Sequence, residues 1–262
     1  ASAKMGEMTI ADVSETHEMR YADPSFRRPD VIMVWGNEPL KANADGFLGH
    51  WIVECMQMGT QIISIDPRLT WLGAKAAYWL QVRPGTDGAL GIAMLNTVIN
   101  EDMVDHKFID SWCYGYQQLV ESVQGKDADW AAEICGVPAD DIRGAARLYA
   151  TAESASIQWG LAFDQNKNGV QLSQAFIVLA ALAGSIDRPG GLTLGPPSAL
   201  LGKWRMEQRG AMADDVWQKR IGAAAWPGLS TGMATTQPDE TLNTMETDQP
   251  YALKMGWFNS SN

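Results

Sequence analysis

Three short turns carry the side chains best suited to holding a polar ligand: Gly36-Asn37, Asp66-Pro67-Arg68 and Gly85-Thr86-Asp87. Asn37 offers both a donor and an acceptor, and Gly36, having no Cβ, lets the backbone come close to a ligand. Asp66 lies where dinucleotide-binding folds place an acid on the ribose hydroxyls; the same residue also suits the start of a turn ahead of Pro67. Thr86 and Asp87 follow a glycine turn and open a helix. The local pattern favours one of them as a helix cap, yet such a helix start also attracts anions. A carboxylate there can accept two hydrogen bonds from a guanine edge.

These turns need elements to position them. Val31-Ile32-Met33-Val34-Trp35 is an unbroken apolar run and reads as a buried parallel strand ending at Gly36-Asn37-Glu38-Pro39. Leu48, Ile52, Cys55 and Met56 recur at helical spacing over 45–58, and Gly59 suits a C-terminal cap. Gln61 to Ile65 is a second strand, so the unit is βαβ with parallel strands and a right-handed crossover. Tyr78 to Val82 is a third strand, and Leu90, Met94 and Val98 mark one face of a helix over 89–100.

Helical patterns near 105–112, 116–124, 127–135 and 139–151 follow, and form a scaffold. Ala155 to Gly160 is a further strand ending in glycine; Asp164 to Gly169 is a polar loop; 170–183 is a helix apolar nearly all round, hence buried. Residues 192–250 show little periodicity and are broken by prolines, with a helix expected between Met206 and Ile221. Tyr251 to Phe258 reads as a strand with no helix after it, as expected of a piece of a longer polypeptide. The expected organisation is a lead-in at 1–30, an α/β domain at 31–195, an irregular covering segment at 196–250, and the first strand of a second half at 251–262. The fold class is α/β: a doubly wound, mostly parallel Rossmann-like sheet with helices on both faces.

Composition narrows the function. A net charge of −11 over 262 residues, without a basic stripe, argues against nucleic acid and anionic membrane surfaces as partners. No apolar run is long enough to span a bilayer, so no direct membrane insertion is expected. The chain reads as soluble, cytoplasmic or exported as a folded holoenzyme. Cys55, Cys113 and Cys135 have no metal-ligand spacing and read as buried small hydrophobes. His17 is isolated and reads as structural or solvated.

Taken in order, Trp35-Gly36-Asn37-Glu38-Pro39, Ile65-Asp66-Pro67-Arg68-Leu69-Thr70 and Arg83-Pro84-Gly85-Thr86-Asp87-Gly88 resemble the molybdopterin oxidoreductase family of dimethyl sulfoxide reductase type. Trp159-Gly160 and Gly184-Ser185-Ile186-Asp187-Arg188-Pro189-Gly190-Gly191 match further family features. The resemblance implies a catalytic-subunit segment bearing molybdenum or tungsten on two pyranopterin guanine dinucleotides (bis-molybdopterin guanine dinucleotide). It implies two-electron oxygen-atom or hydroxyl transfer on a small-molecule substrate. It also implies roles: Gly36 and Asn37 at the pyrophosphate or pterin, Asp66 on the ribose with Arg68 close by, and Gly85, Thr86 and Asp87 at the guanine. Trp35, Trp159 and Gly160 would border the same cofactor. Asn259, Ser260 and Asn262 would form the matching loop for the second dinucleotide. Implied partners are the remaining domains of the polypeptide and an iron–sulfur electron-transfer subunit, with an iron–sulfur cluster elsewhere in the full protein.

The departures matter as much. Residues 1–30 hold no cysteine, and neither Ser2, Ser14, Ser25 nor an aspartate there is assigned as metal ligand. Glu38 and the polar loop at 164–168 differ from the commoner family forms and look like the hydratase, transhydroxylase and catechol dehydroxylase branch. Two rivals stand beside this reading. A nicotinamide dehydrogenase requires GxGxxG after the first strand, where this chain has Gly36-Asn37-Glu38-Pro39-Leu40-Lys41. A non-catalytic assembly subunit would keep the fold without the metal.

Overall fold

The computed structural model describes residues 27–42, 47–162, 165–192, 213–226 and 236–257. It divides into two compact units, Ala1–Pro196 and Pro197–Asn262. The first is built on strands β1 (Val31–Trp35), β2 (Gln61–Ile65), β3 (Tyr78–Leu80) and β4 (Ala155–Trp159), all parallel, in the order β3-β2-β1-β4. The chain steps outward from β1 to β2 to β3, then returns to place β4 on the other side of β1. That reversal is a topological switch point, and it lies between the tips of β1 and β4.

Alternation along β1 feeds two cores. Ile32 and Val34 pack with Ile62, Trp51, Ile52, Cys55 and Leu72 on one face. Val31, Met33 and Trp35 join Ile63, Ile65, Leu80, Ala155 and Ile157 on the other. All five residues of β1 are buried; each large apolar side chain so placed contributes roughly 1.5–3 kcal/mol relative to exposure. The first face is covered by α2 (Phe47–Gln57) and α3 (Trp71–Lys75), reached through the short α1 (Pro39–Ala42). The second is covered chiefly by α4 (Asp87–Asn100), α8 (Ala139–Thr151) and α9 (Gly169–Leu182). Helices therefore lie on both faces, as doubly wound folds require.

Local chemistry fixes the joints. Helix α2 ends as a Schellman motif: Gly59 is left-handed (φ 99°), its N–H donates to Met56 O, and Thr60 N–H donates to Cys55 O. Thr70 caps α3 by accepting from Gly73 N–H. The scaffold helices α5 (His106–Trp112), α6 (Tyr116–Ser122) and α7 (Ala128–Cys135) start at Asp105, Gly115 and Asp127. The two aspartates accept from backbone N–H groups, while Gly115 supplies a left-handed turn.

Several expectations are corrected. The third strand stops at Leu80, because Val82 N–H turns back to Leu80 O. In the second unit, α10 (Asp214–Gln218) is shorter than the helix expected over 206–221, of which 206–212 lie outside the described residues. α11 (Pro238–Thr247) occupies ground expected to be irregular. Pro238 sits at its first turn, where a missing N–H costs nothing, so the proline starts a helix rather than breaking one. Residues 251–257 form no strand: among the described residues they pair with no other strand, and Tyr251, Leu253, Met255 and Trp257 are exposed. Cys113 is exposed, unlike Cys55 and Cys135. Val170 on α9 is also exposed, so that helix is buried on part of its surface only. His17 and most of the lead-in lie outside the described residues.

Candidate functional site

The carboxyl ends of β1, β2 and β4 meet at a single edge. Gly36 N–H donates to Ile65 O (2.9 Å), locking the turn after β1 to the tip of β2. Gly160 N–H donates to Trp35 O (3.2 Å), and the Asn37 amide donates to Trp159 O (3.4 Å), locking it to β4. Gly36 is left-handed, with φ 61°. Gly160 is required for space: a Cβ there would stand 2.5 Å from Gly36 O and 2.8 Å from Asn37 Cβ. Trp159 packs its ring on Phe176 of α9, with centroids 4.9 Å apart.

Asp87 is buried at the first turn of α4, and its Oδ1 accepts from the buried indole Nε1 of Trp35 at 3.0 Å. Its other oxygen lies 3.5 Å from the amide nitrogen of Asn166. The cap expectation is therefore corrected. Thr86 occupies the N-cap position, but its hydroxyl donates to Arg83 O (2.6 Å), and no side chain caps the helix there. Asp87 instead faces inward to Trp35, with acceptor capacity to spare on a carboxylate. Gly85, left-handed at φ 86°, has open space where a side chain would stand.

Asp66 is buried at the tip of β2. Its Oδ1 accepts from Arg68 N–H (2.8 Å) and Arg68 Nε (3.1 Å), and its Oδ2 accepts from Arg68 Nη2 (3.1 Å). The backbone bond two residues on is an Asx turn, so the turn role is present. The indole of Trp79 donates to Asp66 O at 3.0 Å and braces the turn from β3. The side chain of Arg68 is 71% exposed against 5% for Asp66. Hydrogen bonding to Asp66, followed by its charge, holds the Arg68 guanidinium above its ordinary pKa, with a lesser contribution from the charge of Glu38.

Glu38 was expected only as a departure from the family form. It is buried (7% exposed), and among the described residues neither carboxylate oxygen has a hydrogen-bond partner. Only its backbone carbonyl is engaged, accepting from Lys41 and Ala42 N–H at the start of α1. Asn166 belongs to the polar loop expected only to depart from the commoner family forms; its approach to Asp87 goes beyond that expectation, and the rule that strand-tip loops line the ligand crevice points to it. Asn37, Asp66, Asp87, Trp159 and Gly160 are brought together. Asn259, Ser260 and Asn262 lie outside the described residues. Among the described residues no cluster of three His, Cys, Asp or Glu is placed to hold a metal ion, and no helix is long and apolar enough to cross a membrane.

Residues 2–212 match the family model for molybdopterin oxidoreductases. The chain belongs to this family. It is similar to acetylene hydratase from Syntrophotalea acetylenica, at 31% identity over 79% of this chain and 31% of that protein. It is also similar to formate dehydrogenase H from Escherichia coli (31% identity, 61% of this chain, 22% of that one). The same holds for trimethylamine-N-oxide reductase from Vibrio parahaemolyticus (32%, 62% and 22%). Among solved structures, acetylene hydratase from Pelobacter acetylenicus superposes with a TM-score of 0.76 at 28% identity, over 91% of this chain and 36% of that one. The chain thus spans about a third or less of the relatives it matches. Family membership implies a molybdenum or tungsten pterin cofactor.

Proposed function

We propose that this chain is the cofactor-binding part of a molybdenum or tungsten enzyme carrying a bis-pyranopterin guanine dinucleotide. The carrying observation is the bond from Trp35 to Asp87, together with that from Gly36 to Ile65, which join three separate turns at one edge. The residues suit such a group. Gly160 lets the tips of β1 and β4 close on one another, since a Cβ there would meet Gly36 O and Asn37, and two buried carboxylates offer acceptors to the N–H and O–H groups of a nucleoside.

In this reading Asp87, with Gly85 and Thr86, meets the guanine; Asp66 holds the ribose with Arg68 beside it; Gly36 and Asn37 line the pyrophosphate or pterin. Trp159 and Gly160 border the cofactor nearer the metal, Trp35 holds Asp87 from the core side, and Asn259, Ser260 and Asn262 serve the second dinucleotide. When bound, the metal and its dithiolenes supply the redox or Lewis-acid chemistry; the protein binds, orients and excludes water. The reaction is two-electron oxygen-atom or hydroxyl transfer on a small substrate, assisted by the rest of the polypeptide and an iron–sulfur electron-transfer subunit. A second reading is hydration without net redox change, favoured by the similarity to acetylene hydratase in both sequence and structure.

Metal analysis and guanine release by acid from the full-length protein test the assignment. Molybdenum or tungsten together with guanine is expected, and both should fall in Asp87→Ala. Well-folded protein free of metal and guanine would overturn the reading and favour an assembly subunit.

A further inference from the structure

Glu38 is a buried carboxylate without a hydrogen-bond partner among the described residues, and burying a charge so is costly. Such a group needs an account. Its neighbourhood supplies one. The bond from Gly36 N–H to Ile65 O joins the turn that carries Glu38 to the one that carries Arg68, and the charge of Glu38 is the least of the influences that raise the Arg68 guanidinium above its ordinary pKa. Arg68 directs its Nε and Nη2 donors to Asp66, the carboxylate read as holding the ribose. Asp66 already accepts three hydrogen bonds from Arg68. A carboxylate has about four acceptor sites, so to take both hydroxyls of a ribose it must give up at least one of these bonds. The guanidinium is the part able to leave: its side chain is 71% exposed, whereas the backbone N–H of Arg68 is fixed in the turn.

We propose that Glu38 is a positioning residue that receives the Arg68 guanidinium when ligand hydroxyls take Asp66. The exchange trades one carboxylate partner for another, so the arginine charge is never left unpaired. It also satisfies a carboxylate that the free protein leaves without a partner. Glu38 acts through Arg68 and not by contact with the nucleotide diphosphate, since two anionic acceptors have no proton to share. The inference rests on the cofactor reading above, and adds to it a ligand-linked rearrangement at the β1 and β2 tips.

The test uses full-length protein prepared both loaded and cofactor-free, the latter from a host unable to make the pterin. Wild type, Glu38→Gln, Arg68→Gln, the double variant and Glu38→Asp are compared for the rate of guanine loss and for the melting midpoint. In loaded protein, Glu38→Gln and Arg68→Gln should each speed guanine loss about tenfold, and the double variant about tenfold rather than about a hundredfold, as coupled partners do. Glu38→Asp should recover most of the retention. In cofactor-free protein, Glu38→Gln should leave the midpoint unchanged or raise it, because a neutral amide replaces an unpaired buried charge. A purely structural glutamate would lower that midpoint. Loaded Glu38→Gln that keeps guanine like wild type, or single effects that multiply in the double variant, would overturn the proposal and leave the cofactor reading standing. Wild-type protein without guanine would overturn both.

Discussion

Two buried carboxylates at the same edge are held in opposite ways. Asp87 is tied to the indole of Trp35, a neutral donor fully inside the core. Asp66 is tied to a guanidinium whose side chain is largely in solvent. The first corner is part of the hydrophobic core, because Trp35 packs among the residues of β1 and α4. The second rides on the surface of the sheet tip. A ligand meeting both would find one fixed point and one that can rearrange. Rigid placement suits reading a base edge, where geometry carries the specificity; a movable partner suits a sugar, whose hydroxyls must displace what already occupies the carboxylate.

The severest way to break this contrast is to disrupt the joint that both corners share. Gly160→Ala would drive a methyl into the carbonyl of Gly36, which is backbone and cannot step aside. Overpacking of this kind costs about 1–3 kcal/mol. Chemical denaturation should show a lower midpoint at unchanged slope, and loaded full-length protein should lose guanine. A stable variant that retains guanine would mean the tips are looser than the structure has them.

Asp87→Ala comes next. It removes an acceptor from a buried indole N–H, a loss worth about 1–3 kcal/mol. Asp87→Asn keeps an acceptor and should recover much of that stability, read as the denaturant midpoint, while still impairing guanine retention. If Asn restores retention as well, the charge of Asp87 is irrelevant to the ligand. By contrast, Arg68→Ala should lower the midpoint by about 1 kcal/mol or less: the guanidinium is in solvent, where water can take its place, and the backbone N–H of residue 68 still donates to Asp66. An Arg68→Ala loss equal to that of Asp87→Ala would erase the distinction between the corners.

Much of this architecture was legible in the residues. The unbroken apolar run of β1 allows little else, β2 and β4 follow as short strands closed by turn residues, and Gly59 marks its Schellman turn from the chain alone. The turns bearing Asn37, Asp66 and Asp87 follow, since strand tips in a parallel sheet share one edge. Pairing was not legible. The Trp35–Asp87 bond spans 52 positions, and periodicity says nothing about which donor meets which acceptor. Thr86 looked like a cap because threonine usually is one, yet Arg83 O takes its hydroxyl. Short helices such as α1 and α3 carry too few residues for a period to show. Pro238 misled for a different reason: the same ring that breaks a helix interior is well placed in its first turn.

The same contrast recurs in the scaffold, away from the sheet edge. Asp105 caps α5 by accepting from Phe108 N–H, and that bond, aided by Arg188, holds its carboxyl below the ordinary carboxylate range. Glu101 is lowered chiefly by hydrogen bonds from the half-exposed Arg147. Both folded values lie below their unfolded ones. The stabilisation is therefore fully present above the unfolded carboxylate range, about pH 4, and drains away as pH falls through the depressed folded values. Asp105→Ala should lose about 0.5–2 kcal/mol at neutral pH, as cap removals do. Asp105→Asn keeps a capping oxygen and should lose less, while flattening the acid limb of the stability curve. Glu101→Gln should change neutral stability by about 0–1 kcal/mol, because solvent screens an exposed pair. Denaturant melts at neutral pH and near pH 3 would measure all three. If Glu101→Gln flattened the acid limb more than Asp105→Asn, the exposed arginine would be the stronger anchor, and the contrast drawn at the sheet edge would not extend to the scaffold.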